Sequence, residues 1–301
     1  MMQEKFIDVQ TISEIHELWG CGKPRHPLVT VIDLTKYQFR GDRNGLIYRL
    51  YFYTIFCKKF DGVLGYGRSY YDFSEGSLMF TAPGQATTPI STPTLEEGWA
   101  LFFHPDLIHH SHLGKNIGQY SFFNYESNEA LHVSEEEKLA LLDCVRKIER
   151  ECGQNVDKHT QTLIQNNIEM LLNYCSRFYD RQFYTREKVN TDVVQDFEKL
   201  LKEHFSKESL INSGLPGVKS FAEQLHLSPN YLSDLLQKFT GKTTQEHIHL
   251  QLIDKAKSLL WSTGMSVSEI AYTLGFENPP HFTRLFKQKT GYSPSGYRNL
   301  N

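Results

Sequence analysis

The 301-residue sequence predicts an α+β chain in two parts. A small β-barrel or sandwich with two following helices comes first. An all-α domain follows, made of two helix–turn–helix units joined by a linker helix. Three observations predict this. Between about residues 26 and 133, β-branched and aromatic runs alternate with Gly, Pro, Asn and Ser clusters, and no helical pattern intervenes. From Ser134 the apolar spacing switches to that of amphipathic helices. Near the carboxyl end, one phrase occurs twice: small residue, turn, proline-started helix, glycine.

The β elements read as "HPLVTVIDL", "YRLYFYTIFCK", "GSLMFTAP", "GWALFFH" and "QYSFFNY". Many short strands in succession predict a sandwich or small barrel. Ser134 and Glu137 then form a capping box, followed by Leu141, Leu142, Val145, Ile148 and Cys152 at helical spacing. A second helix is expected from about Lys158 to Tyr179, with Leu163, Ile168, Leu171, Leu172, Cys175 and Phe178 on one stripe. These two helices either pack on the β part or pair with a second subunit, and dimer pairing is the preferred reading. The polar stretch "YDRQFYTREKVNTD" reads as a linker, giving a first domain of 1–180, a linker of 181–192 and a second domain of 193–301. A helix from about Asp192 to Phe205 opens that second domain.

Composition narrows the function. No run of about 18 apolar residues occurs, so no membrane span is expected, and the acidic amino-terminal stretch does not read as a secretion signal. Five cysteines in no C-x-x-C pairing argue against a disulfide framework and for a reducing cytoplasm. The net charge is −3, yet nine Lys and Arg against six Asp and Glu lie beyond Gly217. A basic tail on an acidic body hints at a polyanionic partner.

In the first repeat, "GVKSFAEQLHLSPNYLSDLLQKFTG", Phe221, Ala222 and Leu225 share one face. Ser228 is a good N-cap and Pro229 suits the first helical position, where no N–H is needed. Leu232, Leu235, Leu236 and Phe239 follow, and Gly241 ends the helix. In the second, Ser266 and Glu269 make a capping box, Ile270, Ala271 and Leu274 match the first face, and Asn278 and Pro279 start the next helix. Phe282, Leu285 and Phe286 match the stripe, and Gly291 matches Gly241. A small residue at the crossing lets the second helix of each unit project, as a major-groove reader must. The candidate DNA contacts are Ser228, Asn230, Tyr231, Ser233, Asp234, Gln237 and Lys238 in the first unit, and His281, Thr283, Arg284 and Lys287 in the second. Arg284 suits guanine, Asn230 or Gln237 adenine, and Asp234 cytosine. Lys238, Lys242, Lys287 and Lys289 suit phosphates. Between the units, "TTQEHIHLQLIDKAKSLLWSTG" predicts a helix of roughly 16 residues, about 24 Å long, with Ile248, Leu252, Ile253, Ala256, Leu259 and Leu260 inward.

The phrases "SVSEIAYTLGF", "HFTRLFKQKTGYSPSGYR" and "AKSLL" resemble the C-terminal domain of the AraC/XylS family of bacterial transcription regulators. The likeness covers roughly the last 85–100 residues. It implies a seven-helix domain, binding to promoter DNA, and RNA polymerase as a further partner. Asp234 stands where the family often has a basic residue, and Pro280 where it commonly has a small polar one. The β part followed by helices resembles the cupin-like barrel and dimerisation helices of such regulators, and "GSLMFTAPGQ" resembles a strand and turn of that barrel. This resemblance implies a homodimer and a small-molecule effector, with no cofactor.

Effector contacts are expected among aromatics on alternating strand positions, with Tyr51, Tyr53, Trp99, Phe102 and His104 as candidates. Two enzyme readings compete with this. His104, His109, His110 and His112 cluster in a presumed loop, but no carboxylate accompanies them at cupin metal spacing. A cysteine-zinc methyl acceptor would need paired cysteines. Neither pattern is present, and a non-enzymatic regulator is the expectation.

Overall fold

The computed structural model describes residues 5–37, 40, 46–60, 63–66, 69–72, 76–87, 95–206, 210 and 214–299. The chain divides into two compact units, Met1–Thr185 and Arg186–Asn301.

In the first unit, β1 (Lys5–Val9) and α1 (Ile12–Trp19) precede β2 (Val29–Asp33), β3 (Leu46–Leu50) and β4 (Tyr53–Phe60). The hairpin β5 (Val63–Tyr66) and β6 (Ser69–Asp72) follows, then β7 (Ser77–Thr81), β8 (Ala86–Thr87) and β9 (Leu95–Phe103). Two short helices, α2 (Pro105–Ile108) and α3 (His112–Asn116), lead to β10 (Leu131–His132), α4 (Glu135–Gly153) and α5 (Thr160–Thr185). The helix α1 begins at a Thr11–Glu14 capping box, a signal that the reading of strands from residue 26 onward passed over.

The strands form a five-stranded antiparallel sheet ordered β10-β7-β4-β9-β2, a three-stranded sheet β1-β3-β8 and the β5-β6 hairpin. Among the described residues these ladders do not close into a ring. The first unit is a sheet-containing α+β region, and the cupin-like barrel expected is not shown by the described strands.

The register assigns the faces. Tyr53 pairs with Phe103, Ile55 with Leu101 and Cys57 with Trp99, whereas Thr54 pairs with Phe102 and Phe56 with Ala100. Side chains alternate along a strand, so these sets face opposite ways. One face buries Ile32, Ala100 and Phe102 in a core shared with Val9, Tyr48 and the Ile12 and Ile15 of α1. The other is aromatic: Tyr53 stacks on Phe103 at 5.1 Å, and Phe80 lies 4.5 Å from Phe122.

That second face explains one misread element. "QYSFFNY" has strand composition, yet residues 117–124 form consecutive 3₁₀ turns. Phe122 and Phe123 are buried as a wedge, with Phe122 stacked 5.4 Å from Tyr179 of α5. Their burial, not strand pairing, is what the aromatics serve. The histidine-bearing stretch, expected as a loop, instead forms α2 and α3.

The last turns of α5 bolt onto the sheet edge. Gln182, buried, accepts from the His132 N–H at 2.7 Å and donates to the Ala130 carbonyl at 3.1 Å. Its amide thus stands in for a neighbouring strand on β10. Arg181 grips Glu137 with two bonds, of 2.7 and 2.9 Å, and also donates to the His132 carbonyl. The residues expected as a linker, 181–192, are instead helical on both sides of Arg186, and Arg181 and Gln182 among them are committed to β10 and Glu137. Leu163, expected inward, is exposed, and Ile164 takes its place in the core.

The second unit holds seven helices among the described residues: α6 (Glu187–Ser206), α7 (Val218–Gln224), α8 (Pro229–Thr240), α9 (Thr244–Ser262), α10 (Val267–Thr273), α11 (Pro279–Thr290) and α12 (Pro294–Arg298). One core joins them, with Phe197, Phe221, Leu232, Leu252, Ile270, Phe282 and Phe286 buried. No helix among the described residues is long and apolar enough to cross a membrane.

Both units of the repeat turn through the left-handed region, at His226 (φ 56°) and Gly275 (φ 83°). A Cβ on Gly275 would lie 2.9 Å from the Gly214 backbone and 3.0 Å from the Leu215 nitrogen. Gly275→Ala is expected to cost more than the ~1–2 kcal/mol of the conformation alone, whereas His226→Gly should stabilise by up to about 1 kcal/mol. Urea unfolding of both variants followed by far-ultraviolet circular dichroism checks this. Equal effects of one sign would refute it.

Candidate nucleic-acid interface

Each helix–turn–helix is assembled by the same local bonds. In the first, the Leu227 N–H returns to the Ala222 carbonyl at 2.9 Å; in the second, the Phe276 N–H returns to Ala271 at 3.0 Å. Ala222 and Ala271 are wholly buried, which is where a larger side chain would hold the helices apart. Ser228 caps α8 by accepting from the Tyr231 N–H at 3.1 Å. Asn278 occupies the corresponding cap position of α11 but makes no side-chain cap bond. Gly241 and Gly291 end the two helices in the left-handed conformation.

The repeat extends further than the motif reading noticed. Thr240 and Thr290 each donate back to the carbonyl four residues earlier, at 2.7 and 2.8 Å. Thr243 and Ser293 then cap α9 and α12. The linker helix α9 has 19 residues, about 28 Å at 1.5 Å per residue, longer than expected because its capping box starts it at Thr244. Arg298 donates to the Leu260 and Met265 carbonyls at 3.1 and 2.6 Å. It thereby ties α12 to the end of α9 and the entry to α10. The sequence shows Arg298 only as the last residue of a family-like phrase, and no spacing rule marks such a cap. The capping carboxylates Glu246 and Glu269 titrate below the usual glutamate range, because backbone N–H groups of Thr243 and Ser266 donate to them.

The expected DNA contacts divide. On α11, His281, Arg284 and Lys287 are exposed and Thr283 is half-buried. On α8, Gln237 is exposed, while Asn230, Ser233, Asp234 and Lys238 are half-buried. Gln237 donates to the Gly241 carbonyl at 3.0 Å. Ser228 and Tyr231 are corrections: they are 2% and 7% exposed, so neither presents its side chain outward. Ser228 is consumed as the cap. Tyr231 lies one residue before Leu232 on the inward arc of α8, a wide arc in so short a helix.

The effector candidates are not brought together. Phe102 is fully buried in the inter-sheet core, whereas Tyr53 and Trp99 belong to the opposite face of the same sheet. Tyr53 packs edge-on against Phe123, and burial pushes its hydroxyl pKa upward. His104 caps α2, accepting from the Asp106 N–H at 3.2 Å, and Tyr51 is half-buried. Of the other histidines, His112 bonds Glu169 at 2.8 Å and His109 packs edge-on against His110. Among the described residues no three His, Cys, Asp or Glu side chains converge as a metal site would require. Burial pushes the Cys21 and Cys152 thiols up to about 11, and the fully buried Cys175 well above its usual value beside Cys57 and Cys144. A nucleophilic thiol needs the reverse shift.

Two left-handed turns, two buried alanines and two projecting helices define a tandem helix–turn–helix domain. Residues 221–300 match the family described as "Helix-turn-helix domain". The HTH-type transcriptional regulator YisR of Bacillus subtilis is 32% identical over 108 residues, 36% of this chain and 35% of that one. The arabinose operon regulatory protein of Escherichia coli is 28% identical over 148 residues, 48% of this chain and 47% of that one. The chain thus spans about a third to a half of these relatives. The solved C-terminal domain of AraT, a response regulator from Geobacillus stearothermophilus, is 29% identical, covering 36% of this chain and 85% of that one with a TM-score of 0.32. The second unit is an AraC-type helix–turn–helix domain.

Proposed function

We propose that the protein is a sequence-specific, DNA-binding transcription regulator acting in the cytoplasm. The observation that carries this reading is the exposed row His281, Arg284 and Lys287 on the second helix of a helix–turn–helix. Arg284 grips guanine with two bonds, His281 reaches an adjacent base or phosphate, and Lys287 and Lys289 hold the backbone. On α8, Asn230, Ser233, Asp234 and Gln237 face the neighbouring groove and Lys238 a phosphate. RNA polymerase is the partner through which bound protein alters transcription. Arg284→Ala should cost about 1–3 kcal/mol on the preferred duplex and relax its preference at one base pair. Fluorescence anisotropy on selected and scrambled duplexes reads this, and equal weakening on all sequences would reduce Arg284 to a phosphate contact.

The protein acts as a homodimer through α5. Leu163, Met170, Arg177 and Tyr184 recur every seven residues on its exposed side, a mostly apolar stripe that a second copy would cover. A groove there is lined by Glu169, Met170, Asn173 and Arg177. Glu169 and Arg177 flank Asn173, so an antiparallel second copy sets acid against base. Met170→Glu should convert the dimer to monomer in sedimentation velocity. An unchanged dimer would move the interface elsewhere.

A small polar effector binds between the two sheets of the first unit. Thr54 is fully buried, and among the described residues its hydroxyl and that of its cross-strand partner Thr81 find no hydrogen-bond partner. A buried hydroxyl without a partner costs free energy that a ligand would recover. Effector binding alters operator occupancy only if it favours one arrangement of the protein over another. In metabolite-library thermal-shift screening, Thr54→Val should abolish the shift given by the effector. A ligand that stabilises both proteins alike would remove Thr54 from the site.

A further inference from the structure

The two reading helices begin differently. Helix α8 has proline only at its first position, where a missing N–H is harmless. Helix α11 has Pro279 and Pro280 at its first two positions. Pro279 already serves as helix starter, so the second proline is not needed to begin the turn. It also removes a backbone donor, and the following His281 N–H is bonded to the Asn278 carbonyl at 3.0 Å. Backbone N–H groups at helix N-termini commonly hold DNA phosphates. The start of α11 has given up that role at its first two positions.

What Pro280 offers instead is an exposed apolar ring. It precedes Arg284 by four residues and Lys287 by seven, so the three exposed side chains share one helix face. The apolar feature that a base edge presents in the major groove is the thymine methyl. Residues four apart lie roughly 5–6 Å from each other on a helix, against ~3.4 Å between base pairs. Resting on the reading of α11 as a major-groove helix, we propose that Pro280 is a specificity-determining residue that packs on a thymine methyl one or two base pairs from the guanine held by Arg284. The second helix–turn–helix then reads at least two adjacent positions, one by bidentate hydrogen bonding and one by apolar contact.

The test uses the full chain. Its preferred duplex is selected from a random pool, and the guanine is located as the position whose preference Arg284→Ala loses. Each thymine within two base pairs of that guanine is then replaced by deoxyuridine, which removes only the methyl. At one such thymine the unaltered protein should bind about fourfold more weakly, the worth of one buried methyl-sized group. Pro280→Ser should bind thymine and deoxyuridine there equally. Should Pro280→Ser lose its thermal transition, Pro280→Gln serves in its place. Indifference of the unaltered protein to every such replacement overturns the proposal, as does an undiminished loss in the variant. If instead Arg284→Ala alters no base preference, the reading of α11 itself fails, a separate result.

Discussion

The second unit depends on close approach of two short helices across a turn, of four residues in the first copy and five in the second. Each turn needs one residue in the left-handed region and a backbone N–H that reaches back to the alanine carbonyl, as Leu227 and Phe276 do. Only a small side chain fits at that approach, which is why Ala222 and Ala271 are the least negotiable residues of their helices. The two turns share a conformation but not surroundings. Gly275 abuts the backbone of residues 214 and 215, so only glycine fits. His226 is exposed, so a side chain is tolerated there at some conformational cost. Cap, proline and apolar stripe are consequences of where this turn delivers the chain.

Holding two such units in fixed relation is the task of α9. Its ends are secured rather than frayed: Thr243 and Glu246 satisfy each other's backbone at one end, and Arg298 covers the Leu260 carbonyl at the other. Lys255 reaches across to the Phe205 carbonyl at 2.7 Å and so closes the end of α6. Orphan carbonyls and amides at helix ends are the usual sites of fraying. Satisfying them by side chains from other helices makes the seven helices one body. On the proposed reading, a single rigid body would let one chain address two segments of duplex groove.

Legibility in the sequence followed the range of the governing interaction. The helix–turn–helix repeats were readable because caps, proline starters and glycine stops act over three or four residues. Burial around a short helix was less so: Tyr231 looked outward by spacing but lies within a broad inward arc, and Ser228 looked available though its hydroxyl is spent on the Tyr231 N–H. In the first unit, long-range packing dominates. The aromatics of "QYSFFNY" signal a half-buried surface, which a wedge of turns supplies as well as a strand. The polar residues 181–192 suggested a linker, yet Gln182 is buried precisely because its amide completes the edge of β10. Sequence spacing contains no trace of that partner fifty residues away.

Charge sets how the two reading helices divide their work. The segment beyond Gly217 carries only three more basic than acidic residues, so its long-range attraction to a duplex is modest compared with that of strongly basic DNA-binding domains. The basic side chains are also unevenly placed. Helix α11 carries Arg284, Lys287 and Lys289, while α8 carries Lys238 with Asp234. An acid facing the duplex repels phosphate and is tolerated only where a base edge or a neighbouring cation answers it. On the proposed reading, the first helix–turn–helix therefore contributes less to non-specific holding and depends more on the correct sequence for its contribution. A weakly basic domain of this kind gains discrimination over random duplex at the expense of raw affinity, and pairing two such domains in a dimer would restore that affinity without adding charge.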